Sequence, residues 1–159
     1  MLDRPDLVQR GFRGFVPFDE LLAGRLAEIP TAPGTYVILW KHSQPPTFVA
    51  ESCGGHFKAK NPKVEVDTLV RHWVPGASVI YIGKAERLQR RIKQYAQFGT
   101  GRPIGHWGGR YIWQIEDCHR LPVAWRALPE GGDARGEETK SIGEFVAAHG
   151  TRPFANLTA

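Results

Sequence analysis

A chain of 159 residues, 42% hydrophobic and 23% charged, is long enough for one domain with a sizeable core and too balanced for a disordered or fibrous protein. Its 21 Lys plus Arg outnumber 16 Asp plus Glu, a net charge of +5 that favours a polyanionic partner such as nucleic acid. No apolar run approaches a membrane span and the acidic opening Met1-Leu2-Asp3-Arg4-Pro5-Asp6 has no signal-peptide core, so a cytoplasmic location and no membrane partner are expected. The two cysteines, Cys53 and Cys118, form no CxxC or Cys/His zinc pattern and read as reduced thiols.

Residues 1–16 offer Phe12, Phe15 and Val16 as anchors of an arm packed on the core. Residues 17–26 read as a short helix with Phe18, Leu21, Leu22 and Leu26 as its apolar set, and with Asp19 and Glu20 in the first turn, where the helix dipole favours acids. Residues 34–40 are almost continuously apolar and predict a strand buried on both faces. The segment 41–77 is a long connection. Residues 48–51 suit a short strand, 66–73 either a short helix or an extended piece, and Pro75-Gly76 a turn. Its glycine-rich, basic part lacks GxxxxGK[ST] and is no phosphate-binding P-loop.

The β-branched run 79–82 predicts a second strand, ended by Gly83. Leu88, Ile92 and Tyr95 then recur at helical spacing, with Arg91 at the edge of their face. Residues 106–115 suit helix or strand, and the non-alternating Trp/Ile pattern favours a short helix. Residues 121–128 alternate as a strand in which Pro122 marks an edge or a strand start. Residues 134–149 predict a helix with Ile142, Phe145, Val146 and His149 on one face and Gly150 stopping it, followed by an extended tail. The elements compose one α+β domain over 1–159, with a small central antiparallel sheet of three strands near 35–40, 78–83 and 122–128 flanked by helices. Residues 1–30 are an N-terminal arm and helix, and 41–77 an insertion between the first two core strands.

Tyr81 at a strand end, Lys84 in the next turn and Arg91 facing inward can converge on one phosphate, to which arginine offers a planar fork and lysine a point charge. The plainer reading is a basic surface helix whose arginine snorkels. The segment His106-Trp107-Gly108-Gly109-Arg110 is basic, aromatic and glycine-rich, a composition that can approach a nucleic-acid backbone, although core or surface packing is the plainer reading of its histidine and tryptophan. His42, His56, His72, His119 and His149 show no metal-ligand spacing and read as structural or solvated.

Gly34-Thr35-Tyr36 followed by Tyr81-Ile82-Gly83 resembles the signature of the GIY-YIG nucleases, with Thr35 where isoleucine is usual. Lys84, Arg91 and Tyr95 follow Tyr81 by three, ten and fourteen residues, a spacing similar to the nuclease domain of the excision-repair incision enzymes. A glutamate on a late helix and an asparagine beyond a proline complete the family pattern, and Glu138 and Asn156 fill those places. The resemblance covers 33–40, 79–98 and 134–157. It departs at the insertion, since the family joins its two motifs by a short connection. The glutamate register is ambiguous. Counting back from Ile142 and Phe145 selects Glu138, and counting back from Pro153 and Asn156 selects Glu144. Helix geometry puts Glu138 on the buried face with Ile142 and Phe145, and Glu144 on the solvent side, so Glu138 is preferred, with Glu144 as fallback and Glu137 third.

The resemblance implies a Mg²⁺- or Mn²⁺-dependent endonuclease that hydrolyses phosphodiesters in DNA, as in repair or restriction. Glu138 would hold the cation, Arg91 would meet charge on the phosphoryl oxygens, and either Tyr36 or Tyr81 would be the general base, with Tyr36 favoured, Tyr81 positioning and Lys84 stabilising a phenolate. Tyr95 would hydrogen-bond phosphate or water, and Asn156 would fix the tail against the site. The competing expectation is a catalytically inactive nucleic-acid-binding or interaction domain of the same fold. A small-molecule phosphodiesterase is the third.

Overall fold

All six residues of β2 (Gly34–Leu39) are buried, and the sheet assembles around this strand. It pairs antiparallel with β3 (Val79–Ala85) on one side and with β4 (Pro122–Ala127) on the other. Gly83 does not end β3 as its residue type suggested: the strand continues through Lys84 and Ala85, which pair with Thr35 and Gly34, so Lys84 lies on the strand and not in a turn. The computed structural model, which describes residues 2–157, adds a fourth strand to the three expected: β1 (Arg13–Pro17) lies antiparallel outside β4, giving the order β1-β4-β2-β3. Met1, Thr158 and Ala159, included in the expected domain 1–159, lie outside the described residues. Sequence periodicity conceals β1 because its register shifts between Gly14 and Val16, where both Gly14 and Phe15 have positive φ. Only glycine fits at position 14, since a Cβ there would lie 2.4 Å from the Trp125 ring. With β1 outside it, β4 is interior, and Pro122 is tolerated as its first residue, opposite Pro17.

The sheet alternates between two faces. Tyr36, Ile38, Val123 and Trp125 face a core shared with α4 (Leu88–Phe98), the 3-10 segment Trp107–Gln114, and Phe18 and Leu21. These last two come from the N-terminal helix, which is short and irregular: α2 (Phe18–Glu20), a wide turn Leu21–Arg25 and a 3-10 turn Leu26–Glu28. Val37, Leu39, Ile82 and Ala124 face Leu7 of α1 (Arg4–Gln9), Phe12, and Phe145 of α5 (Ala134–His149). Asp133 caps α5 by accepting from the Gly136 N–H at 2.9 Å, and Gly150 ends it with φ +76°. The four-residue apolar face expected for α5 narrows to buried Phe145, with Ile142 half-buried and Val146 38% exposed.

Within the insertion, Val66–His72 forms helix α3, while the strand expected at 48–51 reduces to a single bridge between Phe48 and Ile115. A side chain does the work of a ladder here. Buried Gln114 donates to Val49 O at 3.1 Å and Val64 O at 2.9 Å, and accepts from the Val64 N–H at 2.8 Å. No helix among the described residues is long and apolar enough to cross a membrane.

Candidate active site

The glycines beside the two tyrosines have steric reasons to be glycine. Tyr36 pairs with Gly83 across β2 and β3, and a Cβ on Gly83 would lie 2.3 Å from Tyr36 Cζ. The bare backbone lets the Tyr36 ring cross β3 toward Tyr81, with ring centroids 6.0 Å apart. A Cβ on Gly34 would lie 2.2 Å from Arg126 O and 2.7 Å from Leu88 Cδ1, so glycine there lets β4 and α4 close on the strand.

Tyr95 from α4 and His106 from the following loop complete a four-ring cluster. His106 stacks on Tyr95 at 3.7 Å and an 8° interplanar angle. Its Nε2 lies 2.7 Å from Tyr36 Oη. His106 Nδ1 is buried without a partner among the described residues. A bare lone pair is less costly there than a bare N–H, which assigns the ring proton to Nε2, donating to Tyr36 Oη. The Tyr36 hydroxyl is then free to donate toward Tyr81, and that hydrogen bond opposes the upward shift of the Tyr81 phenol. Burial, followed by the nearby Arg91 charge, keeps His106 neutral by holding its pKa well below the ordinary 6.5.

The tyrosines differ in access. Tyr36 is 1% exposed and Tyr95 0%, and desolvation pushes both phenols well above 10.0. Tyr81 is 9% exposed, and burial pushes it up to about 12. The Tyr95 hydroxyl donates to Gly109 O at 2.7 Å, inside the core. The expected contact of Tyr95 with phosphate or water therefore gives way to a fixed internal bond. Gly109 must be glycine for this approach, because a Cβ would lie 2.4 Å from Tyr95 Oη.

Arg91 is half-buried. It donates to Gln94 Oε1 and Gly105 O, both at 3.3 Å, and has no carboxylate partner among the described residues. Its charge acts on Tyr36, Tyr81, Tyr95 and His106 alike. Glu138 approaches the same tyrosines from α5, and its charge opposes ionisation of both Tyr36 and Tyr81. It is half-buried and takes no hydrogen bond or ion pair among the described residues. Desolvation raises its pKa above 4.5, against the pull of Lys84, Arg135 and Arg152.

The other two glutamates are engaged elsewhere. Glu144 accepts from Arg10 at 2.6 Å and Glu137 from Arg126 at 2.7 Å. Glu144 is thus paired, not simply solvated as its place on the helix suggested. Asn156 lies on the open edge of β3, where its side chain accepts from the Ile82 N–H at 2.9 Å and donates to Ile82 O at 2.8 Å. With the Ala155 N–H donating to Ile80 O at 2.9 Å, the tail acts as a partial fifth strand that covers the edge.

Lys84 is exposed and, with Arg91, lines a groove of about 1090 Å³ between the start of α4 and the loop before α5. Arg87, Arg90 and Arg135 add positive charge to it against Glu86 and Asp133. His106, for which core packing was the plainer reading and a nucleic-acid contact the secondary one, is buried inside the tyrosine cluster. The signal in the sequence is the nearby Gly109, whose missing Cβ lets the loop press against Tyr95 of α4. Comparison with protein-family models, with curated proteins and with solved structures finds no match to this chain.

Proposed function

We propose that this protein is a divalent-metal-dependent endonuclease acting on DNA, of the GIY-YIG type that its motifs resemble. One observation carries the reading: a carboxylate, Glu138, and a guanidinium, Arg91, neither with an ion-pair partner among the described residues, act with opposite sign on the same two tyrosines, beside a basic groove. Structural ion pairs would have neutralised one another, as Glu144 and Arg10 do. Charges left unpaired beside buried phenols point instead to a charged substrate and a cation.

Glu138 fits Mg²⁺, which takes hard oxygen ligands, keeps several waters and needs only one or two carboxylates alongside substrate phosphate. When bound there, the ion supplies Lewis acidity at the phosphate. The protein's own groups do the rest. Arg91 places its fork on the phosphoryl oxygens as charge develops. Lys84 and the groove arginines track the neighbouring phosphates.

The base is reassigned from Tyr36 to Tyr81. Tyr36 Oη is buried against His106, whereas Tyr81 is the more accessible phenol and the one whose phenolate the Tyr36 hydroxyl stabilises. Water would lose its proton to Tyr81 Oη as its oxygen bonds to phosphorus and the opposite P–O bond breaks. Tyr95, His106 and Asn156 act as positioning residues.

Nicking of supercoiled plasmid tests the reading. Wild type is expected to nick with Mg²⁺ and not with chelator, and Arg91→Ala and Glu138→Ala are expected to be inactive yet folded. Binding without cleavage across duplex, flap and single-stranded DNA would transfer the assignment to the binding-domain alternative.

A further inference from the structure

Three donors outside the tyrosine cluster, beyond Trp113, meet in space. Cys53 comes from the insertion, and Cys118 and His119 from the 3-10 turn Cys118–Arg120. Their ligand atoms lie within 4.8 Å of one another. Cys53 Sγ is 3.6 Å from Cys118 Sγ, and Cys118 Sγ is 3.9 Å from His119 Nδ1; the 3.7 Å contact of Cys53 Sγ is with the other ring nitrogen, Nε2. Tetrahedral zinc, with bonds of about 2.3 Å to sulfur and about 2.0 Å to nitrogen, holds two sulfurs roughly 3.8 Å apart and a sulfur and a nitrogen roughly 3.5 Å apart. The two sulfurs already stand close to that spacing. A disulfide would require them to close to about 2.05 Å, a much larger movement.

The imidazole is also oriented for the task. His119 Nε2 lies 2.7 Å from Gly99 O. A carbonyl can only accept, so Nε2 carries the proton and the Nδ1 lone pair is left free on the side of Cys118. Donation of the remote ring N–H to a backbone carbonyl is the arrangement that fixes metal-ligating histidines. Two thiolates and an imidazole are soft donors that select zinc over magnesium. This donor set therefore differs in kind from the lone carboxylate Glu138.

We infer that Cys53, Cys118 and His119 form a zinc site, with the fourth position left to water or an added ligand. The site staples the insertion to the end of α4. Gly99 follows α4 directly, the Gly55 N–H donates to Phe98 O at 3.0 Å, and the loop that starts here delivers His106 to Tyr36. The insertion has almost no ladder of its own, so a metal at its root limits its freedom where that loop begins. This inference is independent of the nuclease reading.

The test is a Co²⁺ titration of the reduced, metal-stripped chain, with cobalt as the spectroscopic substitute for zinc. One equivalent is expected to produce thiolate-to-cobalt charge transfer and intense tetrahedral d–d bands, which one equivalent of Zn²⁺ erases. Cys53→Ser and Cys118→Ser should each remove charge-transfer intensity, and His119→Ala should weaken binding at least about tenfold. Circular dichroism checks that the variants fold. The wild-type titration decides the matter even if they do not. Absence of the charge-transfer band in wild type overturns the site, as does a band unchanged by Cys53→Ser. Isolation of the chain with the two sulfurs oxidised to a disulfide and no bound zinc, from medium supplemented with zinc, overturns it in favour of a redox pair.

Discussion

Replacing Glu138 and Glu144 by glutamine, one at a time, should give opposite effects on stability and activity. Glu144→Gln removes an ion pair whose side chains are 31% and 35% exposed, and Arg10 retains Asp6 at 3.1 Å. Such a pair is worth about 0–1 kcal/mol, or a loss of at most roughly 2–4 °C in Tm for a chain of this size. Activity should be unchanged. Glu138→Gln removes no hydrogen bond or ion pair among the described residues, so the fold should lose nothing. Desolvation raises the Glu138 pKa above 4.5, so the folded state binds that proton more tightly than the unfolded chain. Compared with glutamine, the native carboxyl keeps its full contribution in acid and loses it as pH rises through its folded pKa. The variant should therefore match or exceed wild-type stability at neutral pH, with the advantage vanishing in acid. With Glu138 as the proposed cation ligand, its replacement should cost about 4 kcal/mol of transition-state stabilisation, close to a thousandfold in kcat/KM. Thermal melts across pH and plasmid nicking under Mg²⁺ provide both readouts. An inactive Glu144→Gln beside an active Glu138→Gln would refute the reasoning that an unpaired carboxylate marks the site.

Four further outcomes are expected. Because Tyr81 titrates only at about 12, kcat/KM at fixed Mg²⁺ should rise with pH through the neutral-to-alkaline range, by about tenfold per pH unit if its phenolate is the base, and Tyr81→Phe should abolish that rise. Asn156→Ala leaves both the N–H and the C=O of buried Ile82 unsatisfied and should cost about 2–4 kcal/mol in urea unfolding. Thr35 is fully buried with no partner for its hydroxyl among the described residues, so Thr35→Val should stabilise the fold by about 1 kcal/mol in the same assay. Arg87→Ala with Arg90→Ala should weaken binding to every DNA sequence alike and flatten the slope of log K against log salt by about 1–2, as measured by fluorescence anisotropy.

The α4 face of Leu88, Ile92 and Tyr95 was legible because helical spacing is local, and all three are buried. The strands at Tyr36 and Tyr81 were legible from their β-branched, apolar runs. β1 was not, because its positive-φ residues break the alternation that reveals a strand. The span of α5 was readable, but its buried face was not, because that face narrows to Phe145 where the helix meets the sheet.

Sequence by itself determined which residue types lie near Tyr81: a lysine three residues on, an arginine one helical turn before Tyr95, and glycines where backbone and ring press together; that the lysine stands on the strand and not in a turn was decided by its pairing with Thr35. Tertiary structure alone decided which charges are spent. Glu144 is engaged by Arg10 from the far end of the chain and Glu137 by Arg126 of the preceding strand, and Glu138 has no such partner among the described residues. It also brought His106 to Tyr36 and Cys53 to Cys118, across separations of 70 and 65 residues. Local spacing sets the face on which a side chain emerges. Its hydrogen-bond or ion-pair partner depends on segments that meet only when the sheet closes, which is why the carboxylate register, ambiguous along the chain, separates in space.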